Sequence, residues 1–259
     1  MFLSATLTSL PLDFEAAVAQ VQALGFTHVD LVGLAERPQL HLEALADSGL
    51  LVGSVAVGRG LPDGVTLDGT DSATCRRAIA YVERQISNAG QMGATCCYLV
   101  PGHEAKPAKL ERFADTCAAL ADFAAARQLR LCVEHLPGRA LPTVAATLEW
   151  LGRIQHDNLH LLLDLGHCLI SEEDPTQAVV QAGGRLGYVH LDDNDSAQDV
   201  HWPLLTGRLT ADMLEAFLTV LEMGRYDRGV ALELNPQNHN PVAALRDGKR
   251  LLERFQTYR

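Results

Sequence analysis

Apolar and polar positions along this chain alternate between two periods that take turns from one end to the other. Residues 2–8, FLSATLT, read as a strand, and 13–25 then put Phe14, Ala17, Val18, Val21 and Leu24 on one face of a 3.6-residue period. A β-branched strand over 27–32 precedes a helix over about 38–49. LVGSVAV (51–57) is a third strand, a Gly- and Pro-containing loop follows, and a long helix spans roughly 71–92. ATCCYLV (94–100) is a fourth strand, and Leu110, Phe113, Cys117, Leu120 and Ala124 form the next helical stripe.

The second half repeats the scheme. Strands are predicted over 129–135, 159–165, 186–192 and 229–235. Helices are predicted over 142–153, 175–183 and 241–256, with one more around Leu214, Phe217, Leu218 and Leu221. The strands are near-continuously apolar, as in a parallel sheet covered on both faces. Eight such β–α units in 259 residues predict an α/β chain folded as a single (β/α)8 barrel domain over 1–259. A doubly wound sheet that binds a dinucleotide would show GxGxxG after its first strand, where this chain has Ser9-Leu10-Pro11.

Composition narrows the partners. The aromatic share is only 5%, so Leu, Val and Ala must fill the core. The formal charge is −11 and no run of Lys or Arg offsets it, which argues against nucleic acid, whose binding needs cations at the phosphates. No apolar run approaches the roughly 20 residues that span a bilayer, and the first residues lack the pattern of a signal peptide. The six cysteines (Cys75, Cys96, Cys97, Cys117, Cys132 and Cys168) form no CxxC pair, and most lie in apolar runs, which predicts buried thiols in a reducing cytoplasm. Association into a homo-oligomer stays open.

Ionisable residues collect where the later strands meet their loops. Glu134 and His135 end the fifth strand, Asp164 the sixth with His167 three residues on, His190 and Asp192 the seventh, and Glu233 lies in the eighth. In a closed barrel the C-terminal strand ends converge on one pocket. Three carboxylates brought together there repel one another and resist desolvation, a conflict that a divalent cation removes. One imidazole and three carboxylates suit Mn, Zn, Co or Mg. A lone Glu or His at a strand end is more often a satisfied polar group, but four ligand-type residues on four successive strands predict a metal held by Glu134, Asp164, His190 and Glu233. The acidic stretch after the seventh strand reads as a solvated loop or, through the bidentate spacing Asp199-x-His201 joined by His167, as a second metal site. Gly58-Arg59-Gly60 reads as an ordinary loop, or as a contact for an anionic substrate group.

The segments VEHLPG (133–138), LLDLGH (162–167), YVHLDDND (188–195), DVHWPLLTGRL (199–209) and ALELNP (231–236) resemble the xylose isomerase-like barrels, which include sugar isomerases, sugar epimerases and endonuclease IV. The resemblance runs over essentially the whole chain. It implies Glu134, Asp164, His190 and Glu233 as metal ligands, with Glu134 and Glu233 also the acid/base pair. It implies His167 as a contact for substrate or a second metal, and Asp199 and His201 as ligands of that second metal. Arg208 and Trp202 are the further residues expected at a sugar-like small molecule. Two departures stand out. The histidines that endonuclease IV-like members carry after earlier strands are missing from the ends of strands three and four, with His103 displaced. Ser196 and Ala197 lie where ketose 3-epimerase-like members place an Arg. The expected activity is a metal-dependent isomerase or epimerase of a small sugar, sugar phosphate or polyol, working by proton transfer through an enediolate. The alternatives are a metal-dependent dehydratase of a keto-polyol, an endonuclease IV-like nuclease and a non-catalytic sugar-binding barrel.

Overall fold

A computed structural model describes residues 1–237 and 240–255. Within them eight strands pair in parallel in sequence order, and the last closes on the first. The strands are β1 (Phe2–Thr6), β2 (His28–Val32), β3 (Leu51–Ala56), β4 (Cys96–Leu99), β5 (Arg130–Glu134), β6 (Leu159–Asp164), β7 (Leu186–Leu191) and β8 (Gly229–Leu232). Around them lie α1 (Phe14–Ala23), α2 (Gln39–Ser48), α3 (Ser72–Gln91), α4 (Pro107–Ala125), α5 (Val144–Ile154), α6 (Leu165–Ile170), α7 (Pro175–Ala182), α8 (Ala211–Met223) and α9 (Pro241–Arg254). The (β/α)8 barrel predicted from the two alternating periods is therefore the observed fold.

Local chemistry sets the helix starts. Asp13, Asp71, Thr143, Asp174, Thr210 and Asn240 each accept a backbone N–H of the first turn of their helix, and three helices carry Pro at the start. Some elements differ from expectation, among them the eighth strand, expected over 229–235, which ends at Leu232. The first strand ends at Thr6 in a 3-10 turn over Leu7–Ser9. The short helix α6 was not predicted: LGHCLI is almost wholly apolar and only six residues long, so it shows no helical period. The last helix was expected to reach 256, and Gln256 lies outside the described residues. No helix among the described residues is long and apolar enough to cross a membrane.

Two apolar layers result. The outer one packs strand side chains against the helices, for example Leu131, Leu161, Leu163 and Val230 with Leu120, Leu151 and Phe217. The inner one fills the barrel with Ala56, Cys96, Tyr98, Cys132, Leu162, Tyr188 and Ala231. Period 2 along a strand then decides what comes next on the inner face. Two residues beyond Cys132, Leu162, Tyr188 and Ala231 stand Glu134, Asp164, His190 and Glu233. All six cysteines are free thiols, buried except for the half-buried Cys75, as expected for apolar positions.

The Tyr188 ring crosses the barrel interior where only a residue without Cβ fits beside it. A Cβ on Gly229 would lie 2.1 Å from the Tyr188 ring. Gly229→Ala should therefore lower unfolding stability by about 1–3 kcal/mol, the usual cost of overpacking a core. Chemical denaturation measures it, and an unchanged midpoint would show that the ring is free to move aside.

Candidate metal centre and substrate cavity

At the C-terminal end of the barrel the four strand-end residues meet. Glu134, Asp164 and His190 are buried and the Glu233 side chain is 16% exposed. One ligand atom from each lies within 4.8 Å of the others. Nδ1 of His190 is 3.3 Å from Glu134 Oε1, 3.9 Å from Asp164 Oδ2 and 2.6 Å from Glu233 Oε2. None of these approaches has hydrogen-bond geometry, so Nδ1 of His190 and Oδ2 of Asp164 are buried without a partner. The groups are aimed at a common point rather than at each other, which is how metal ligands are arranged.

Each carboxylate is set by its element. Asp164 is the N-cap of α6: its Oδ1 accepts the His167 N–H at 3.0 Å, leaving Oδ2 for the centre. Asp164 and His190 are register partners across β6 and β7. Glu233 lies one residue past the end of β8, yet its N–H still donates to the Leu191 carbonyl at 3.2 Å. The next residue is tied to β1, with the Leu234 N–H donating to Ser9 Oγ at 2.8 Å. Burial opposes charge on His190, but Glu233, Asp30 and Glu134 outweigh it and hold the ring well above the ordinary histidine range. Burial likewise works against an ionised Glu233, and His190 outweighs it, keeping that carboxyl well below its ordinary range.

Asp30 was not anticipated from the sequence. It sits under His190, with Oδ2 3.8 Å from Nε2, the nitrogen turned away from the centre. It is buried and fully engaged: Oδ1 accepts Ser4 Oγ at 2.5 Å, Tyr188 OH at 2.7 Å and Ser54 N–H at 3.1 Å, and Oδ2 accepts Ser54 Oγ at 2.7 Å. The register slips by one residue here, so that Gly53 and Ser54 of β3 lie opposite Asp30. Nε2 of His190 has no hydrogen-bond partner either, so Asp30 acts on it as the nearest negative charge, which favours a proton on that nitrogen rather than on Nδ1. Asp30 lies in mid-strand among apolar residues, and only that slip could have marked it.

A second cluster adjoins the first. His167 Nε2 and His201 Nε2 lie 3.3 and 3.1 Å from Asp199 Oδ1, and His201 Nδ1 contacts Asp192. Asp164, Asp192 and His201 also offer atoms within 4.8 Å of one another. His167 Nδ1 donates to the His135 carbonyl at 2.8 Å, which turns Nε2 toward Asp199. Burial opposes the charged His167 ring, but Asp164, Asp199 and Glu134 raise it to about 10, while burial and Asp164 push Asp192 up to about 8. The loop that delivers Asp199 and His201 is folded around Asn194, whose Oδ1 accepts the N–H groups of Val200 and His201 at 2.7 and 3.1 Å. His201 is held at a φ of 45°, a conformation non-glycine residues adopt only where neighbours impose it.

Both clusters open on a cavity of about 620 Å³, large enough for a small molecule. Asp199, His201 and Glu233 line one side, and the loops after β3, β4 and β5 line the other. Of the residues expected at the substrate, Trp202, Arg208 and His167 are not among its lining residues; His167 is buried next to Asp199, which does line it. Trp202 pairs through its backbone with Asp193. Asp193 also accepts the N–H groups of Gly207 and Leu209 at 2.6 and 2.9 Å, and Arg208 between them is exposed. The arginines that do line the cavity are Arg59 and Arg139.

A model of the xylose isomerase-like TIM barrel matches residues 18–255. Among characterised proteins, the L-ribulose 3-epimerase of Mesorhizobium japonicum is 27% identical over 70% of this chain and 65% of its own length. A probable ketose 3-epimerase of Synechocystis is 32% identical over 50% of this chain and 49% of its own. The chain thus spans about half to two-thirds of the length of these relatives. The 3-keto-D-glucoside 4-epimerase of E. coli superposes with a TM-score of 0.82 at 18% identity, covering 98% of this chain and 99% of that one, a likeness of fold. With its closed eight-stranded barrel and a family match over nearly its whole length, the chain belongs to the xylose isomerase-like TIM barrel family.

Proposed function

We propose that this chain is a divalent-metal-dependent epimerase or isomerase of a small sugar or related polyol, moving a proton at the carbon beside a carbonyl. The observation that carries this reading is the convergence of Glu134, Asp164, His190 and Glu233 beside the cavity. The donor set fits Mn, Zn, Co or Mg: three carboxylates, one imidazole, and two buried ligand atoms without a hydrogen bond. The epimerases among the sequence relatives support the same chemistry. When bound, the ion supplies Lewis acidity toward the substrate carbonyl and balances the carboxylates.

The remaining work falls to the chain's own residues. Glu134 and Glu233 approach His190 Nδ1 as separate carboxylates, which suits an acid/base pair on two sides of a substrate carbon. One takes the C–H proton beside the carbonyl. The other delivers a proton to the opposite face, which inverts that carbon; delivery to the neighbouring carbon gives the isomer instead. His167, with Nδ1 committed to the His135 carbonyl, presents Nε2 as a hydrogen-bond partner for a substrate oxygen. His167, Asp199 and His201 also offer a place for a second ion.

Three outcomes test this reading. Manganese at about 100 times its Kd should raise unfolding stability by about 2.7 kcal/mol, and a strong chelator should reverse the gain. Equal melting temperatures in both states would sink the metal. Asp30→Asn should weaken manganese binding about 10- to 100-fold in calorimetric titration through loss of the support behind His190; unaltered affinity would remove that role. Glu134→Gln and Glu233→Gln should retain bound metal yet each lose about 10²–10⁴-fold in turnover of a ketose panel that includes L-ribulose. In deuterated water the wild type should place deuterium on the epimerised carbon and conserve product mass otherwise. Near-native turnover in either Gln variant ends the role assignment, and loss of one water from the product makes the enzyme a dehydratase.

A further inference from the structure

The cavity wall facing the metal ligands carries more positive charge than its own carboxylates neutralise. Its ionisable residues are Arg59, Asp68, His103, Glu104, Lys109 and Arg139. Lys109 is accounted for, with Nζ 2.5 Å from Glu104 and 3.8 Å from Asp68, and Glu104 is also 2.5 Å from Lys106. Arg139 Nη1 lies 2.7 Å from His103 Nε2, which accepts its hydrogen bond. Among the described residues neither Arg59 nor Arg139 has a carboxylate within ion-pair distance.

The backbone of the turn that carries Arg59 is held in place, while Arg59 itself is exposed. The Gly58 N–H donates to Oε1 of Gln85 at 2.8 Å, and Nε2 of Gln85 donates to the Gly33 and Arg59 carbonyls at 2.8 and 3.0 Å. Gln85 is fully buried on α3, so one amide ties the loop after β2 to the turn that carries Arg59. Gly58 makes that turn at a φ of +78°, and a Cβ there would lie 2.8 Å from Leu99. Burial opposes charge on the guanidinium, but Tyr98, Glu233 and Glu134 favour it. Those two glutamates approach His190 and form no ion pair with Arg59.

We infer that the substrate carries an anionic group, a carboxylate or a phosphate, away from its reacting carbon, and that Arg59, with Arg139 beside it in the cavity wall, receives that group. A planar guanidinium matches either oxyanion with two parallel hydrogen bonds. The inference rests on the epimerase reading of this site and narrows its substrates from neutral sugars to sugar acids or sugar phosphates.

Calorimetric titration of the manganese-loaded protein with D-fructose, D-fructose 6-phosphate and 2-keto-D-gluconate tests it without turnover. At least one anion should bind about tenfold or more tightly than D-fructose, and the preferred anion assigns phosphate or carboxylate. Arg59→Gln should weaken that anion by about tenfold or more, the scale of a charge-assisted hydrogen bond, and D-fructose by less than about threefold. Arg59→Lys should restore part of the preference, and Arg139→Gln should reduce it. The inference is overturned if neither anion binds more tightly than D-fructose, or if Arg59→Gln weakens D-fructose as much as the anion. A protein that shows the anion preference but epimerises no ketose would refute the proposed reaction and leave the role of Arg59 standing.

Discussion

Glu134, Asp164 and Glu233 are held with oxygens within 4.8 Å of one another in a place nearly closed to solvent, and the barrel mouth is organised around that crowding. Two like charges about 4 Å apart at an effective dielectric of about 20 repel by about 4 kcal/mol. Three such pairs match the whole stability margin of an ordinary domain, about 5–15 kcal/mol. By the same arithmetic an imidazolium at His190, whose Nδ1 lies 2.6 to 3.9 Å from the three carboxylates, offsets this repulsion, and a divalent ion at the point the ligands share would do so with twice the charge. The same constraint explains the supporting contacts. Asp164 is immobilised as a helix cap, His190 is backed by Asp30, and Glu233 is kept in line by Leu191 on one side and, through Leu234, by Ser9 on the other.

The barrel was legible because its strands and helices differ in period over long stretches, and the placement of the four ligand-type residues followed from the same rule. Each stands two residues beyond an inward-facing residue, Cys132, Leu162, Tyr188 or Ala231, so a strand pattern read correctly also fixes which way its last polar residue points. His167, Asp199 and His201 were legible as ligand types, and their meeting depends on a loop whose path is set by Asn194 and Asp193.

What the sequence hid has physical causes. Asp30 looks like one polar residue in an apolar strand, and its meaning comes from a register slip and from Tyr188, which is 158 residues away. Arg59 was legible as a loop residue with an anion contact as the alternative, and what the sequence did not show is that the amide anchoring its turn, Gln85, belongs to the next helix. Arg208 attracted notice through its motif, but the Asp193 bonds to both neighbouring residues leave it on the exposed side of its loop. Helix α6 shows no helical period because five of its six residues, His167 included, are buried. The residues facing the metal ligands across the cavity therefore come from the early loops, where local sequence carries the least information about direction.

The mouth divides into two walls with different tasks. On the proposed reading, the ends of β5–β8 supply the groups for proton transfer, and the loops after β3, β4 and β5, which line the opposite side of the cavity, choose the substrate. The central claim is that one divalent ion sits where Glu134, Asp164, His190 and Glu233 point. Anomalous diffraction from crystals grown with manganese tests it most directly. The account predicts a strong peak at roughly 2.0–2.3 Å from an oxygen of each of the three carboxylates and from Nδ1 of His190, distances usual for such ligands. No peak there at saturating manganese, or a peak bound by a different set of side chains, would contradict it.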